Sequence, residues 1–437
     1  MKPFIKPCFL LAAAAIAFCG CSKSQSMQTS ADAAVQTKAI ESAPNDAAPT
    51  ADCKPTVTSN ATTEMWAAAN NAFGFEMLKA TNPDFSVVVS PYSVERAMGM
   101  LLEGACGDTA SEIQKALKLP QANNNSQAGA EIEANILKTL DEHHTIDIDN
   151  HLWIQQSYKL RDDYIQSVKK FYNATPENVD FAGATEESRN YINEFIAKAT
   201  HDKIRDILPG GSVTPLTRLI LTNAVYFKGP WLHNFNENNT NKADFKTATG
   251  TVQVDMMHHT ASHAYSETDS LIAFDMDFGS ADYAMMIMMP KINESSDVAV
   301  ALADLENNLS SISFKQIRSQ MKSGKVSLYM PKFKVEFGAS LKAMLLKLGV
   351  QNAFTSPDFS AITGTRELFL DDVLHKAFID VNENGAEAAA ATAVTMTLRM
   401  ALPQQDPPVI RVDHPFVFAI VEKSTQTILF VGRVTRI

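Results

Sequence analysis

Residues 383–399 read Glu383-Asn-Gly-Ala-Glu-Ala-Ala-Ala-Ala-Thr-Ala-Val-Thr-Met-Thr-Leu-Arg399, and the fold turns on how this stretch is read. From Val394 onward it alternates: Val394, Met396 and Leu398 share one parity, Thr395, Thr397 and Arg399 the other. A period of two marks a half-buried strand. Carried backwards, the apolar parity takes in Ala386, Ala388, Ala390 and Thr392, all small. The opposite parity carries Glu387, which is costly to bury unpaired. An alanine-rich helix is the competing reading, because alanine favours helices and Glu387 suits a first turn. Against it stand the β-branched Val394, Thr395 and Thr397 and an apolar spacing that forms no helical stripe. The stretch runs on into Met400-Ala-Leu-Pro-Gln-Gln-Asp-Pro-Pro408, whose prolines exclude helix and central strand. A segment patterned as a strand therefore leads into an extended loop, expected to be exposed.

The pattern Glu-x-Gly-x-Glu-Ala-Ala-Ala-Ala-Thr-Ala lies between Val373-Leu-His-Lys-Ala377 and Asp413-His-Pro-Phe-Val-Phe418. This arrangement resembles the reactive-centre loop region of the serpins. Other blocks resemble the same family in the family's order. They are Ser90-Pro-Tyr-Ser93, Ala97-Met-Gly-Met-Leu-Leu-Glu-Gly-Ala105 with Gly107-Asp-Thr109, Lys203-Ile-Arg-Asp-Ile-Leu-Pro209, and Asn223-Ala-Val-Tyr-Phe-Lys-Gly-Pro-Trp231 with Phe235 and Thr240. Met330-Pro-Lys-Phe333 and the ending Leu429-Phe-Val-Gly-Arg433 complete the set.

The resemblance implies an α+β serpin fold with a large central β-sheet A, sheets B and C, about eight to nine helices and an exposed reactive-centre loop. It also implies suicide inhibition of serine proteases by loop cleavage, acyl-enzyme trapping and strand insertion. The matching hinge residues are Glu383, Gly385, Ala386, Glu387, Ala388, Ala389, Ala390, Ala391 and Thr392. Ala386 departs from the threonine usual in the family, but it is small and leaves insertion possible. The family's spacing, counted from Gly385, puts the reactive bond at Arg399–Met400. An arginine there points to trypsin-like targets, with elastase-like or papain-like enzymes reached through neighbouring bonds at Leu398 or Met400. Ser90, Ser93, Asn223 and His375 match a buried cluster that holds the central sheet's strands, and Trp231 matches the aromatic at its opening end. The partner implied is a target protease in a covalent acyl complex with a monomeric inhibitor. A non-inhibitory serpin acting as a binding protein is the alternative, and the small hinge residues argue against it.

The first residues belong to export rather than to the fold. Met1-Lys-Pro-Phe-Ile-Lys6 is basic, and Phe9 to Phe18 is apolar but too short for a permanent span. Gly20-Cys21 at its end resembles a bacterial lipoprotein signal, making residues 1–20 the signal peptide and Cys21 the lipidated residue; an ordinary secretory signal is the alternative. Residues 21–62 are rich in Ser, Thr, Ala, Asn and Pro, with too little apolar surface to order, and read as a disordered tether. Residues 63–437 show no second linker and read as one domain, which the resemblance makes a serpin domain with its reactive-centre loop at about 383–408. The expectation is an exported, membrane-anchored lipoprotein facing the periplasm or the cell exterior.

Across the whole chain 38 basic residues stand against 49 acidic ones, a net charge of −11, and loss of Lys2 and Lys6 makes the mature chain more acidic still. With no basic stripe, nucleic acid is excluded as a partner. The five cysteines form no disulfide framework. Cys8 and Cys19 fall in the signal, Cys21 takes lipid, and nothing in the spacing argues for a bridge between Cys53 and Cys106. The motifs G-x-S-x-G, H-E-x-x-H, the P-loop and G-x-G-x-x-G are all missing, so no enzyme chemistry, cofactor or metal is expected. His143-His144 and His258-His259 are the only adjacent histidine pairs, and neighbours in sequence point apart, which disfavours chelation by one pair. Helices are predicted near 64–80, 91–105, 109–117, 127–142, 162–171 and 184–200. Strands are predicted near 85–89, 145–156, 217–227, 283–289, 326–336, 376–382 and 409–420. The methionines of Tyr283-Ala-Met-Met-Ile-Met-Met-Pro290 are expected to fill the core.

Overall fold

The computed structural model describes residues 59–140, 145–386 and 406–437. The expected signal, Cys21, nearly all of the tether, and the loop positions from Glu387 to Met400 lie outside these residues, including Ala388, Ala389, Ala390, Ala391, Thr392 and Arg399. Among the described residues eight helices of nine residues or more form: α1 (Thr63–Ala80), α2 (Pro91–Gly104), α3 (Gly107–Ala116), α4 (Asn125–Thr139), α5 (Asp162–Tyr172), α6 (Thr185–Ala199), α7 (Val298–Asn308) and α8 (Ser311–Ser319). Three short ones follow, α9 (Lys342–Lys347), α10 (Asn352–Thr355) and α11 (Ser360–Thr363). Their starts follow local chemistry. Thr62 accepts the amide of Met65, Ser90 accepts that of Ser93 with Pro91 next in line, and Asp297 accepts those of Ala299 and Val300.

The early strands are β1 (Val87–Val89), β2 (Thr145–Gln155), β3 (Glu177–Val179) and β4 (Leu219–Pro230). A middle group comprises β5 (Asn241–Thr247), β6 (Gly250–Glu267), β7 (Leu271–Phe278), β8 (Tyr283–Pro290), β9 (Lys322–Pro331) and β10 (Phe333–Ser340). The last are β11 (Asp372–Asn382), β12 (Gly385–Ala386), β13 (Val409–Arg411), β14 (Phe416–Glu422) and β15 (Thr427–Val434). One sheet runs β10-β11-β12-β4-β2-β3; the other runs β1-β15-β14-β8-β7-β6-β9-β13, with β5 on β6. The expected sheets B and C are thus one continuous ladder. The reason is β6, eighteen residues long, which pairs with β5 at one end and with β7 at the other.

Two expected strands are each split. The run at 326–336 ends β9 at Pro331 and restarts as β10 in the other sheet. Between them the Lys332 amide still donates to the Asp255 carbonyl of β6 (2.9 Å), continuing the β6–β9 register by one position before the chain joins the other sheet. The run at 409–420 breaks at Asp413-His414-Pro415, where proline cannot supply a ladder donor. Strands β5, β6, β7 and β15 and helices α7 and α8 carried no assignment from sequence. Cys106, the one cysteine among the described residues, is disulfide-bonded. The spacing of the cysteines gave no reason to expect that bridge.

The main core lies between the two sheets and takes in α1 and α2. It includes Met285, Met286, Met288 and Met289 of β8, none more than 2% exposed, in the packing role expected for them. A second cluster covers the outer face of the six-stranded sheet, where Trp153, Ile220, Ala224 and Leu374 meet Ile192 and Ile196 of α6. Odd-numbered residues of β4 and β11, such as Leu221, Val225, Val373 and Ala377, therefore face the main core. Even-numbered ones lie on the opposite face, where Ile220, Ala224 and Leu374 pack in the cluster with α6. Gly432 inside β15 is fixed by packing: a Cβ there would sit 2.3 Å from the Val87 carbonyl oxygen.

Candidate functional site

The six-stranded sheet has a fork. Strands β11 and β4 pair directly and in parallel over seven positions, from Asp372↔Ile220 to Phe378↔Tyr226. Above these they part, and Gly385 and Ala386 lie between them. Ala386 pairs antiparallel with Val381 on one side and Gly229 on the other; Gly385 pairs with Asn382 and Pro230. The start of the loop is thus a wedge already in the fork. Glycine is required at 385, where φ is +150° and a Cβ would come within 2.1 Å of the Gly229 oxygen. Ala386 is wholly buried in the main core, so its parity faces inward, as do the odd-numbered residues of its neighbours.

The segment after β4 grips the base of the wedge. Trp231 donates its Nε1–H to the Asn382 carbonyl (2.8 Å) and its amide to the Asn384 carbonyl (3.0 Å). The Phe235 amide donates to the Glu383 carbonyl (3.0 Å). The indole lies flat on Phe278, with ring centroids 4.4 Å apart, so its position is set by packing as well as hydrogen bonding. Glu383, 4% exposed, accepts from Thr240 Oγ1 (2.8 Å) and pairs with Lys332 Nζ (2.9 Å). Burial pushes its carboxyl pKa up, but the hydrogen bonds from Lys332 and Thr240 outweigh that and hold it below the ordinary value.

Lower in the sheet, where the fork is closed, His375 of β11 lies level with Asn223 of β4. The His375 Nδ1 meets the Asn223 side-chain oxygen, and its Nε2 accepts the Ser90 amide (3.1 Å). Ser90 Oγ donates to the Leu429 carbonyl (2.7 Å) and accepts from the Ser93 amide (3.1 Å). The Asn223 amide reaches Ser93 Oγ and Asn150 Oδ1. One polar cluster thus ties β2, β4 and β11 to the start of α2 and to β15. All four residues singled out in the sequence meet here, together with Asn150, which sequence reasoning missed. Its only signal is register, since Asn150 lies opposite Asn223 in the β2–β4 ladder. Burial drives the His375 pKa down to about 3 against the opposing Asn223 hydrogen bond, so the ring is neutral.

Known proteins share this fold. The model of the family Serpin (serine protease inhibitor) matches residues 68–437. An uncharacterised serpin-like protein of Thermococcus kodakarensis is 39% identical over 367 residues, 84% of each chain. Leukocyte elastase inhibitor A of Mus musculus is 32% identical over 379 residues, 85% of this chain and 99% of that one. Among solved structures, maspin superposes with a TM-score of 0.78 at 28% identity, covering 86% of this chain and 99% of its own. Human thyroxine-binding globulin superposes with a TM-score of 0.75 at 27% identity, covering 86% and 99%. The forked sheet, the wedge at its mouth and a family match across nearly all of the described residues agree: this chain is a member of the serpin family.

Proposed function

We propose that the protein is a suicide inhibitor of serine proteases, preferring trypsin-like enzymes, and that it works by inserting its own cleaved loop into the fork between β4 and β11. The observation that carries this is the wedge. Gly385 and Ala386 already pair on both sides in the register an incoming strand would use. Continued downward, that register sets residues 389–395 against the seven positions where β4 and β11 now pair directly. Ala388 comes level with Phe227 and Ile379, Thr392 with Asn223 and His375, and Val394 with Leu221 and Val373. Each of these falls on the inward parity of Ala386. The small residues enter first, which avoids the ~1–3 kcal/mol that overpacking typically costs. One ladder is exchanged for two, so about seven added hydrogen bonds contribute ~1 kcal/mol each, and burial of Val394, Met396 and Leu398 adds to this.

In the reaction the protease serine oxygen bonds to the Arg399 carbonyl carbon. The Arg399–Met400 peptide bond breaks, and Met400 leaves as a free amine after protonation by the protease histidine. Insertion then carries the acyl-enzyme to the far end of the sheet before water can release it. Lipidated Cys21 would tether the domain to a membrane by burying acyl methylenes at about 0.8 kcal/mol each, with the domain facing the periplasm or the cell exterior. The test is incubation of the full chain with trypsin, an elastase and a papain-like enzyme. An SDS-resistant complex with trypsin supports the proposal. Binding without cleavage, or cleavage that leaves the protease fully active, would identify a non-inhibitory member instead.

A further inference from the structure

His259 and His263 lie four residues apart on β6, roughly 13 Å along a straight strand, yet their rings lean together until the Nε2 atoms are 2.9 Å apart. The outer nitrogen of each ring faces a backbone carbonyl. His263 Nδ1 lies 3.0 Å from the Asp275 oxygen, and His259 Nδ1 lies 3.4 Å from the Asn234 oxygen. A carbonyl oxygen only accepts, so both Nδ1 atoms call for a proton, and the Nε2 contact calls for a third. Two neutral imidazoles carry only two. Whichever tautomers are chosen, a neutral pair leaves one lone pair facing another acceptor, unless a positive centre sits between the rings.

With both Nδ1–H groups on carbonyls, the two Nε2 lone pairs converge, which is the outer-shell arrangement that orients histidine toward a metal. A third histidine stands beside them: exposed His233 has its ring centroid 6.2 Å from that of His263. His258, adjacent in sequence, points away and bonds Ser327 Oγ (3.1 Å). The nearby carboxylates are engaged, Asp275 with Arg318 (3.1 Å) and Asp277 with Lys423 (2.7 Å).

We propose that His259 and His263, with His233 turning inward to join them, bind one imidazole-seeking first-row divalent cation such as Zn2+ or Ni2+. Among the described residues no three side chains already stand in a metal-holding array, so the motion of His233 is part of the site. Nitrogens at the ~2.0–2.1 Å of a Zn–N bond stand about 3.4 Å apart at the tetrahedral angle. From 2.9 Å, the rings therefore need to part by about half an ångström. The site adjoins the hinge: Phe235 stacks on His259 with centroids 4.0 Å apart, and the same residue's amide holds the Glu383 carbonyl. An ion here would stiffen the segment that grips the wedge.

The experiment titrates the metal-stripped full chain with ZnCl2 and separately with NiCl2 by calorimetry near neutral pH, and follows the melting temperature with and without each salt. The expected result is one saturable ion per chain, with a melting temperature that rises with its concentration. His259→Gln should abolish both effects. His233→Ala, a change at an exposed position that leaves the fold intact, should weaken binding by at least about tenfold. An unmodified chain that binds no ion saturably, or variants that bind as well as the unmodified chain, would overturn the site and leave the two rings as a proton-sharing pair. None of these readings depends on protease inhibition.

Discussion

Replacing Ala388 with arginine places a long cation at the first inward position below the wedge. The register brings residue 388 level with Phe227, 2% exposed, and Ile379, 1% exposed, both in the main core. Phe227 is itself enclosed by Phe278, with ring centroids 4.8 Å apart, and by Tyr283 and Phe430. A guanidinium forced into that setting without a partner costs on the order of 3–5 kcal/mol. At about 1.4 kcal/mol per factor of ten, insertion should slow by roughly a hundredfold to several thousandfold. Cleavage at Arg399–Met400 precedes insertion and should be unaffected, so deacylation wins and the variant becomes a substrate. Ala389→Arg is the control. Residue 389 comes level with Tyr226 and Phe378 on the opposite face, where Lys334 already rests its ammonium 4.9 Å from the Phe378 ring centre. A cation there can reach solvent along an aromatic surface. The assay is the stoichiometry of inhibition of trypsin, expected near one for the unmodified chain and for Ala389→Arg, and well above about ten for Ala388→Arg. Equal losses at the two positions would refute the parity, and no loss at either would refute insertion.

Four further outcomes are expected. Gly385→Ala puts a methyl 2.1 Å from the Gly229 oxygen at a positive φ, and should expel the wedge; hydrogen exchange at the Gly229 and Ala386 amides should rise, and unchanged protection would count against the pairing. The His375 pKa is lowered to about 3, against about 6.5 in an unfolded chain. The unfolded state therefore binds the extra proton between those values, and stability falls as pH drops through that window; His375→Gln should flatten the slope of denaturation midpoint against pH, and an unaltered slope would reject the buried neutral ring. Arg399→Ala should weaken inhibition of trypsin-like enzymes while sparing elastase-like ones, and the fragment released from the complex should begin at Met400; a fragment beginning at Gln404 or later would move the reactive bond. Cys21→Ala should release the protein into the soluble fraction and abolish fatty-acid labelling, whereas an unmodified chain that takes up no label is an ordinary secreted protein.

The inward parity of Ala386 was legible in sequence because it needs only local alternation, while the hinge positions after it lie outside the described residues. The depth of the fork was not, because it depends on β4 and β11, which lie some 150 residues apart and meet only in the folded sheet. Asn150 escaped for the same reason: it gains its role from a strand register that no short motif encodes. Strands β5 to β7 escaped because their surroundings change along their length. Thus β6 buries Val254, Met256 and Met257 and then His263, with no sustained alternation. The histidines show how a sound local rule can miss a contact. His258 and His259 do point apart, yet the ring His259 meets belongs to His263, farther along the same strand.

Strand insertion is tested most directly by the heat stability of the protein cleaved in its loop. A chain nicked within residues 387–399 by a protease it does not inhibit should take up the loop as a new strand between β4 and β11. About seven added ladder hydrogen bonds, at a degree or two per kcal/mol for a domain of this size, should raise its melting temperature by roughly 10 °C or more over the intact chain. A nicked protein that melts at or below the temperature of the intact one would show that the fork stays closed and would contradict the mechanism.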